Sequence, residues 1–298
     1  MIRIEPFGRS HLLQVQTLLN THLSALVPGW SLPAAYIAGV LRRNPREYVT
    51  DPWVVERATL CAVERARVVA AAHLLRYGAG AEVGGYCQNA GEIDWFVAYP
   101  GAVGAADALL AAVQQQCHAW QVGRVWAQMG ALVGPFVGVP DAAPHLAAAL
   151  VRSGFRREPG DEEAVYGGAL DRVPPAGAPP LPGMALRRTV GGFGVRFSAV
   201  LEGETIGVCE CVPDLTEGGA LPALRGWAEL SELEVEPVWR NCGVGAWLIG
   251  HAVDWLRLGR CERLIFAVAP DSEAAGVERF YGRCGWRPLV REQKGWRW

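Results

Sequence analysis

The chain has 298 residues, 51% of them hydrophobic, and sets 28 Lys and Arg against 30 Asp and Glu for a formal net charge of −2. That is about twice an ordinary domain, with apolar residues enough for two cores. The near-neutral balance excludes a global field toward nucleic acid or an anionic membrane, and pairs such as Arg42-Arg43 and Arg187-Arg188 read as solvated surface.

Taken in order, residues 2–5 read as a strand rather than a leader peptide. Helices are expected at 11–23 and 33–43, a hairpin at 60–63 and 68–75, and a strand at 91–97. A helix at 105–117, a strand at 125–129 and a helix at 144–152 follow, and then Arg152-Ser153-Gly154-Phe155-Arg156. The run 173–183 holds five prolines and neither continues a helix nor joins a sheet interior, so it reads as a semi-rigid linker. Beyond it the same order of elements repeats, as in a tandem duplication, except that between 186 and 195 there is room only for a turn.

No apolar run reaches the length of a membrane span. The eight cysteines form neither a disulfide framework nor a CxxC pair, and the six histidines are scattered, so no metal site is expected. Cys209 and Cys211, two apart on a strand, point to one face.

Most of the chemistry is written in the stretch 235–248, where an apolar strand runs through Arg240-Asn241-Cys242-Gly243-Val244-Gly245 into an amphipathic helix. Glycines at a helix N-terminus let a phosphate approach bare N–H groups, and the helix dipole favours negative charge there. Tight turns and close packing also select glycine. A P-loop is excluded because no Gly-Lys-Ser/Thr triplet follows, and a dinucleotide fingerprint because its third glycine position falls on Leu248. Cys242 is either a thiol activated at a helix N-terminus or a tolerated loop residue.

Arg240, Gly243 and Gly245 resemble motif A of the GNAT superfamily of acyl-CoA N-acyltransferases, and Phe280-Tyr281 followed by Gly285-Trp286 is similar to its motif B. The strand at 264–268 and the helix at 272–283 lie between them in the family's order. The resemblance implies an α/β (α+β) fold of two tandem GNAT-like domains, each a mixed, mostly antiparallel sheet flanked by helices. The expected boundaries are 1–172 for a degenerate copy, 173–182 for the linker and 183–298 for the active copy. In the first copy Pro100-Gly101-Ala102-Val103-Gly104-Ala105 lacks a leading basic residue, and Leu150 stands where the second has Tyr281.

The same resemblance implies acetyl-CoA as donor and no metal, with the pyrophosphate at Arg240, Asn241, Cys242, Gly243, Val244, Gly245 and Ala246. It puts the pantetheine and oxyanion at the backbone of Leu233, Glu234 and Val235. Tyr281 is the expected acid for the departing thiolate. Glu229 is the expected base, with Glu232 and Glu234 as rivals because a bulge would change which face each occupies. Many relatives carry an asparagine shortly before the tyrosine; here the stretch is Asp271-Ser272-Glu273-Ala274-Ala275. The implied activity is N-acetylation of a primary amine on a small molecule or peptide, in the cytoplasm. The expected assembly is a monomer acting as an intramolecular pseudo-dimer, or a homodimer. The second half lacks room for the helices that wall the acceptor site in the family, so the first half is expected to supply that wall. The alternative class is a non-catalytic acyl-CoA sensor.

Overall fold

The computed structural model describes residues 1–44, 48–128, 133–158, 160–269 and 274–298. They pack as two compact units: Met1–Ala164 together with Val290–Trp298, and Val165–Leu289. In chain order the elements are β1 (Ile2–Pro6), α1 (Leu12–Leu26), α2 (Ala34–Val40), β2 (Val54–Glu64), β3 (Arg67–Tyr77), β4 (Ala90–Ala98) and α3 (Val103–Ala119). Next come β5 (Arg124–Ala127), β6 (Val139–Pro140), α4 (Pro144–Arg152), β7 (Arg156–Arg157) and β8 (Glu162–Ala169). The second stretch holds β9 (Ala185–Val190), β10 (Val195–Leu201), β11 (Glu204–Val212), β12 (Trp227–Val235), α5 (Val244–Leu258) and β13 (Arg263–Val268). It ends with α6 (Ala274–Arg283), β14 (Arg287–Gln293) and β15 (Trp296–Arg297). The end of the expected strand at Met129 and the start of the expected helix at Ser272 lie outside the described residues.

The first unit is built on a sheet of order β1-β2-β3-β4-β5-β15-β7. β2 turns into β3 through Arg65 and Ala66, both at positive φ (49° and 61°), the turn geometry that matches the twist of paired strands. Alternation then sorts β3 by face. Ala70, Ala72 and Leu74 join Leu109, Leu110 and Val113 of α3 in one apolar cluster, while His73 lies on the other face. There His73 stacks on Trp95 at 6.0 Å, and Thr59 Oγ1 lies 2.7 Å from its Nδ1. Burial pushes that imidazole down to about 3, so it is neutral. α1 buries Val15, Leu18, Leu19, Leu23 and Leu26, a stripe at helical spacing, and packs against β3 and β4.

In the second unit the strand order is β9-β10-β11-β12-β13-β8-β14. β9 to β12 are antiparallel neighbours and β12 to β13 is parallel. β9 returns directly into β10, so the position filled by α1 and α2 in the first unit holds only a turn.

The compact units change over at 164/165 and at 289/290. Between its fifth strand and the strand after its last helix, each sheet takes in one more strand. In the first unit, between β5 and β7, this is β15 from the end of the chain; in the second, between β13 and β14, it is β8 from before the linker. Hydrophobic pattern marks such a segment as a strand but says nothing about which sheet receives it. The terminal strand carries real packing: Trp296 is 2% exposed and sits in the α3 cluster with Phe155 and Leu150.

Glu292 enters the first unit on the same segment. Its Oε2 accepts hydrogen bonds from the N–H groups of Val137 (2.9 Å) and Gly138 (3.1 Å), while Oε1 is buried without a partner. Burial raises its pKa to about 7 despite those two bonds. A carboxyl whose folded pKa lies above its unfolded value destabilises the fold as pH rises between the two, here from about 4.5 to about 7, by about 3 kcal/mol in all. Glu292→Gln keeps the acceptor and removes the charge. Urea unfolding should therefore find the variant close to wild type at pH 5 and more stable at pH 8; an equal difference at both values would mean that Glu292 is ionised throughout. Trp296→Ala should cost about 3–5 kcal/mol in the same experiment, the usual penalty for truncating a buried tryptophan, whereas a loss under 1 kcal/mol would mean that β15 is dispensable.

Candidate active site

β12 and β13 pair in register only from Trp227↔Arg263 to Glu229↔Ile265. Among the described residues the β12 edge toward β13 has no ladder partner beyond Glu229, while its other edge stays paired to β11 as far as Val235↔Gly207. The backbone of Leu233, Glu234 and Val235 therefore lines an opening in the sheet. A bulge opposite Glu210 and Cys211 inserts Ser231, whose hydroxyl donates to the Glu210 carbonyl at 3.2 Å. Glu229, Glu232 and Glu234 pair with Val212, Glu210 and Val208, so the extra residue puts all three acids on one face. Cys209, Cys211, Leu230 and Leu233 share the opposite face, where both thiols are fully buried.

Of the acids, Glu232 is held. Arg196 on β10 donates through Nε to Oε2 of Glu210 at 2.9 Å and through a terminal nitrogen to Oε2 of Glu232. Glu210 is 1% exposed and also accepts from the N–H groups of Phe193 (2.5 Å) and Gly194 (3.2 Å). Burial works against its charge, but those donors prevail and hold its pKa below the usual carboxylate range. The sequence reading missed Arg196 and Glu210. Counting outward from the turn at Glu202 and Gly203 pairs Arg196 with Cys209; the register shift at Ala199 and Val200 brings Glu210 opposite it instead.

The chain leaves β12 through a short turn at Pro237–Trp239 and reaches α5 through two left-handed residues, Asn241 (φ 62°) and Gly243 (φ 86°). Asparagine is among the few residues that tolerate this region, and glycine enters it freely. Trp247 is the first donor to bond back, to Gly243 O at 3.0 Å, so the N–H groups of Val244, Gly245 and Ala246 have no intrahelical acceptor. Asn241, Cys242, Gly243 and Ala246 are exposed, and Arg240 folds back to donate from Nε to Val235 O at 3.1 Å. The two glycines are not equivalent. A Cβ on Gly245 would meet Phe280 at 3.4 Å, an ordinary contact, whereas Gly243 is required by its φ.

Tyr281 lies on α6, 7% exposed, among Phe266 (4.5 Å between centroids), Phe280 (5.0 Å), Tyr166 (5.5 Å) and Trp286 (6.1 Å). Burial, then the neighbouring Cys209, raises its pKa, so the phenol keeps its proton at neutral pH. The stretch Asp271-Ser272-Glu273 lies outside the described residues. In the first unit the corresponding helix, α3, is capped by Ala102 at φ −90°, with no left-handed residue, and the carbonyl of Ala98 at the end of β4 accepts from His145 Nε2 at 2.8 Å. Among the described residues no cluster of His, Cys, Asp and Glu is arranged to hold a metal, and no helix is long and apolar enough to cross a membrane.

A strand opening, a left-handed helix cap and a protonated phenol on the following helix thus occur together in one unit of a mixed α/β fold. Residues 177–286 match the acetyltransferase (GNAT) family. The whole chain has the fold of tandem GNAT proteins. It is similar to a tandem GNAT protein from the clavulanic acid biosynthesis pathway, with TM-score 0.65 and 17% identity over 100% of this chain and 98% of that one. It is also similar to a GCN5-related N-acetyltransferase from Sphaerobacter thermophilus, with TM-score 0.64 and 15% identity over 100% and 95%. Among curated proteins none matches. At these identities the structural likeness speaks for fold alone.

Cys242 is the one exposed cysteine, Cys87 is half-buried and the other six are buried. Ellman's reagent should react fastest at Cys242 in the native protein, and Cys242→Ser should remove that fast phase. A fast phase that survives the substitution would place the loop's accessible face elsewhere.

Proposed function

We propose that this protein is an N-acetyltransferase that moves the acetyl group of acetyl-CoA to a primary amine of a small molecule or peptide, using the second unit. The observation that carries the reading is the left-handed cap at Gly243, which sets free N–H groups and the positive end of the α5 dipole beside the unpaired edge of β12. Arg240, Asn241, Cys242, Gly243, Val244, Gly245 and Ala246 would hold the diphosphate, and the backbone of Leu233, Glu234 and Val235 the pantetheine and the charge developing on the thioester oxygen.

The amine must be neutral to attack. As the C–N bond forms and the C–S bond breaks, nitrogen gives up a proton and sulfur gains one. Tyr281 is a phenol kept protonated by its aromatic surroundings and is the donor for the thiolate. Glu229 is the acceptor we favour, because it lies half-buried on the acid face of β12 whereas Glu234 is exposed at the rim. The three acids on one face suit an acceptor that arrives as a cation. The first unit, with its alanine cap and its occupied Ala98 carbonyl, we read as a copy that no longer binds the donor for turnover. The working molecule is then a single chain in the cytoplasm, without nucleic-acid or membrane partners.

A Cβ at Gly245 makes only ordinary contacts, so Gly245→Asp adds a carboxylate at the α5 N-terminus, and calorimetry should lose acetyl-CoA binding with the melting temperature preserved. Undiminished affinity would remove the basis of the assignment. Tyr281→Phe should lower kcat on the order of 10²-fold with acetyl-CoA affinity little changed. Wild-type turnover would reduce the tyrosine to packing. Tight binding with no turnover on any amine of a broad panel would favour the sensor reading instead.

A further inference from the structure

The proline-rich run at 173–183 is not a free tether. It lies along α5 from the helix's C-terminal end to its N-terminal end and is fastened at each step. Arg257 donates to the carbonyls of Leu170 (2.5 Å) and Val173 (2.8 Å), and Val173 is 3% exposed. Asp254 Oδ2 accepts from the N–H of Ala176 at 3.0 Å, and the indole of Trp247 donates to the Gly177 carbonyl at 3.1 Å. At Gly250 a Cβ would stand 3.0 Å from Ala176 Cα and 3.2 Å from its nitrogen, so glycine is needed for the strap to approach. A helix-interior glycine costs about 1 kcal/mol against alanine, a cost that this contact accounts for.

Gly243, Trp247, Gly250, Asp254 and Arg257 recur at helical spacing and form one stripe. The sheet takes other residues of α5, among them Leu248, Ala252 and Leu256. Four anchors thus deliver the far end of the strap to one place. Pro180 Cβ lies 3.2 Å from where a Cβ of Gly243 would be, at the helix cap, and Pro179 and Pro180 are both exposed there. Anchoring of this kind fixes the rigid apolar ring of Pro180 beside the Gly243 cap, with Pro179 its neighbour in the chain. Such rings offer a flat surface to a purine or ribose, and nothing in the packing of the second unit uses them.

We propose that Pro179 and Pro180 form a wall for the nucleotide end of acetyl-CoA, making the strap a specificity-determining part of the donor site. This rests on the function proposed above. The donor's diphosphate at the α5 cap would leave its adenosine against the strap, while its pantetheine runs toward β12 and away from it. The contact is pre-formed, so the donor does not bear the entropy of ordering it.

The test uses the full chain and two donors, acetyl-CoA and S-acetylpantetheine, which lacks the nucleotide. P179G/P180G should weaken acetyl-CoA binding about fivefold or more in calorimetry and leave S-acetylpantetheine unchanged. Trp247→Phe, which frees the strap but keeps both prolines, should act in the same direction and guards against a double variant that fails to fold. Unchanged acetyl-CoA affinity in either folded variant overturns the proposal. Tighter binding also overturns it, since it would mean that the strap obstructs the cap. Wild-type protein that does not bind acetyl-CoA, or Gly245→Asp that binds it normally, sinks the proposed function itself, an outcome distinct from failure of the strap alone.

Discussion

The left-handed reversal at Asn241 and Gly243, where β12 becomes α5, is the constraint on which the second unit depends. A helix entered through a glycine in this conformation has no side chain at its cap residue, and the first three N–H groups of α5 have no intrahelical acceptor. The same reversal brings α5 back across β10, β11 and β12, where Leu248, Ala252 and Leu256 are buried, and turns its outer stripe toward the strap. With an ordinary residue at 243 the backbone would strain in a region L-residues rarely adopt. In the first unit Ala102 occupies the cap with negative φ and the chain enters α3 without the reversal. One residue's conformation thus distinguishes the two helix entries.

The second constraint is the bulge at Ser231. Strict alternation along β12 would set Glu229 and Glu232 on opposite faces, and the extra residue brings them together with Glu234. The first unit keeps the same irregularity, between His73 and Leu74 opposite Ile93 and Trp95. There, however, the face carries Trp95 stacked on a neutral His73 where the second unit has Glu232 and the Arg196 network. Equivalent backbones thus carry a His73–Trp95 stack beside a single buried acid, Glu92, in one unit and three acids in the other.

Much of this was legible in the sequence because it is written in local signals. The hairpin at β2–β3, the helices α1, α3 and α4, the strand–loop–helix at β12–α5 and the two-unit tandem fold follow from periodicity, turn residues and motif spacing. The paired cysteines of β11 share a face as alternation requires. What stayed hidden was set by tertiary choice. Nothing in residues 162–169 or 296–297 states which sheet they will enter, and the prolines of 173–183 signal only that no helix or inner strand can form there. The anchors of the strap lie on α5, far along the sequence, and are individually unremarkable residues. Arg196 and Glu210 were hidden by a register shift, and the buried Glu292 looked like any surface glutamate of a terminal strand.

The central claim is that one unit, and only one, retains a donor site, because one helix is entered through a left-handed glycine and its counterpart through an alanine at negative φ. Titration calorimetry of the wild-type chain with acetyl-CoA tests this most directly. The account predicts a single class of site with one donor bound per chain. Two donors per chain, or none at concentrations well above those of ordinary acyl-CoA enzymes, would contradict it.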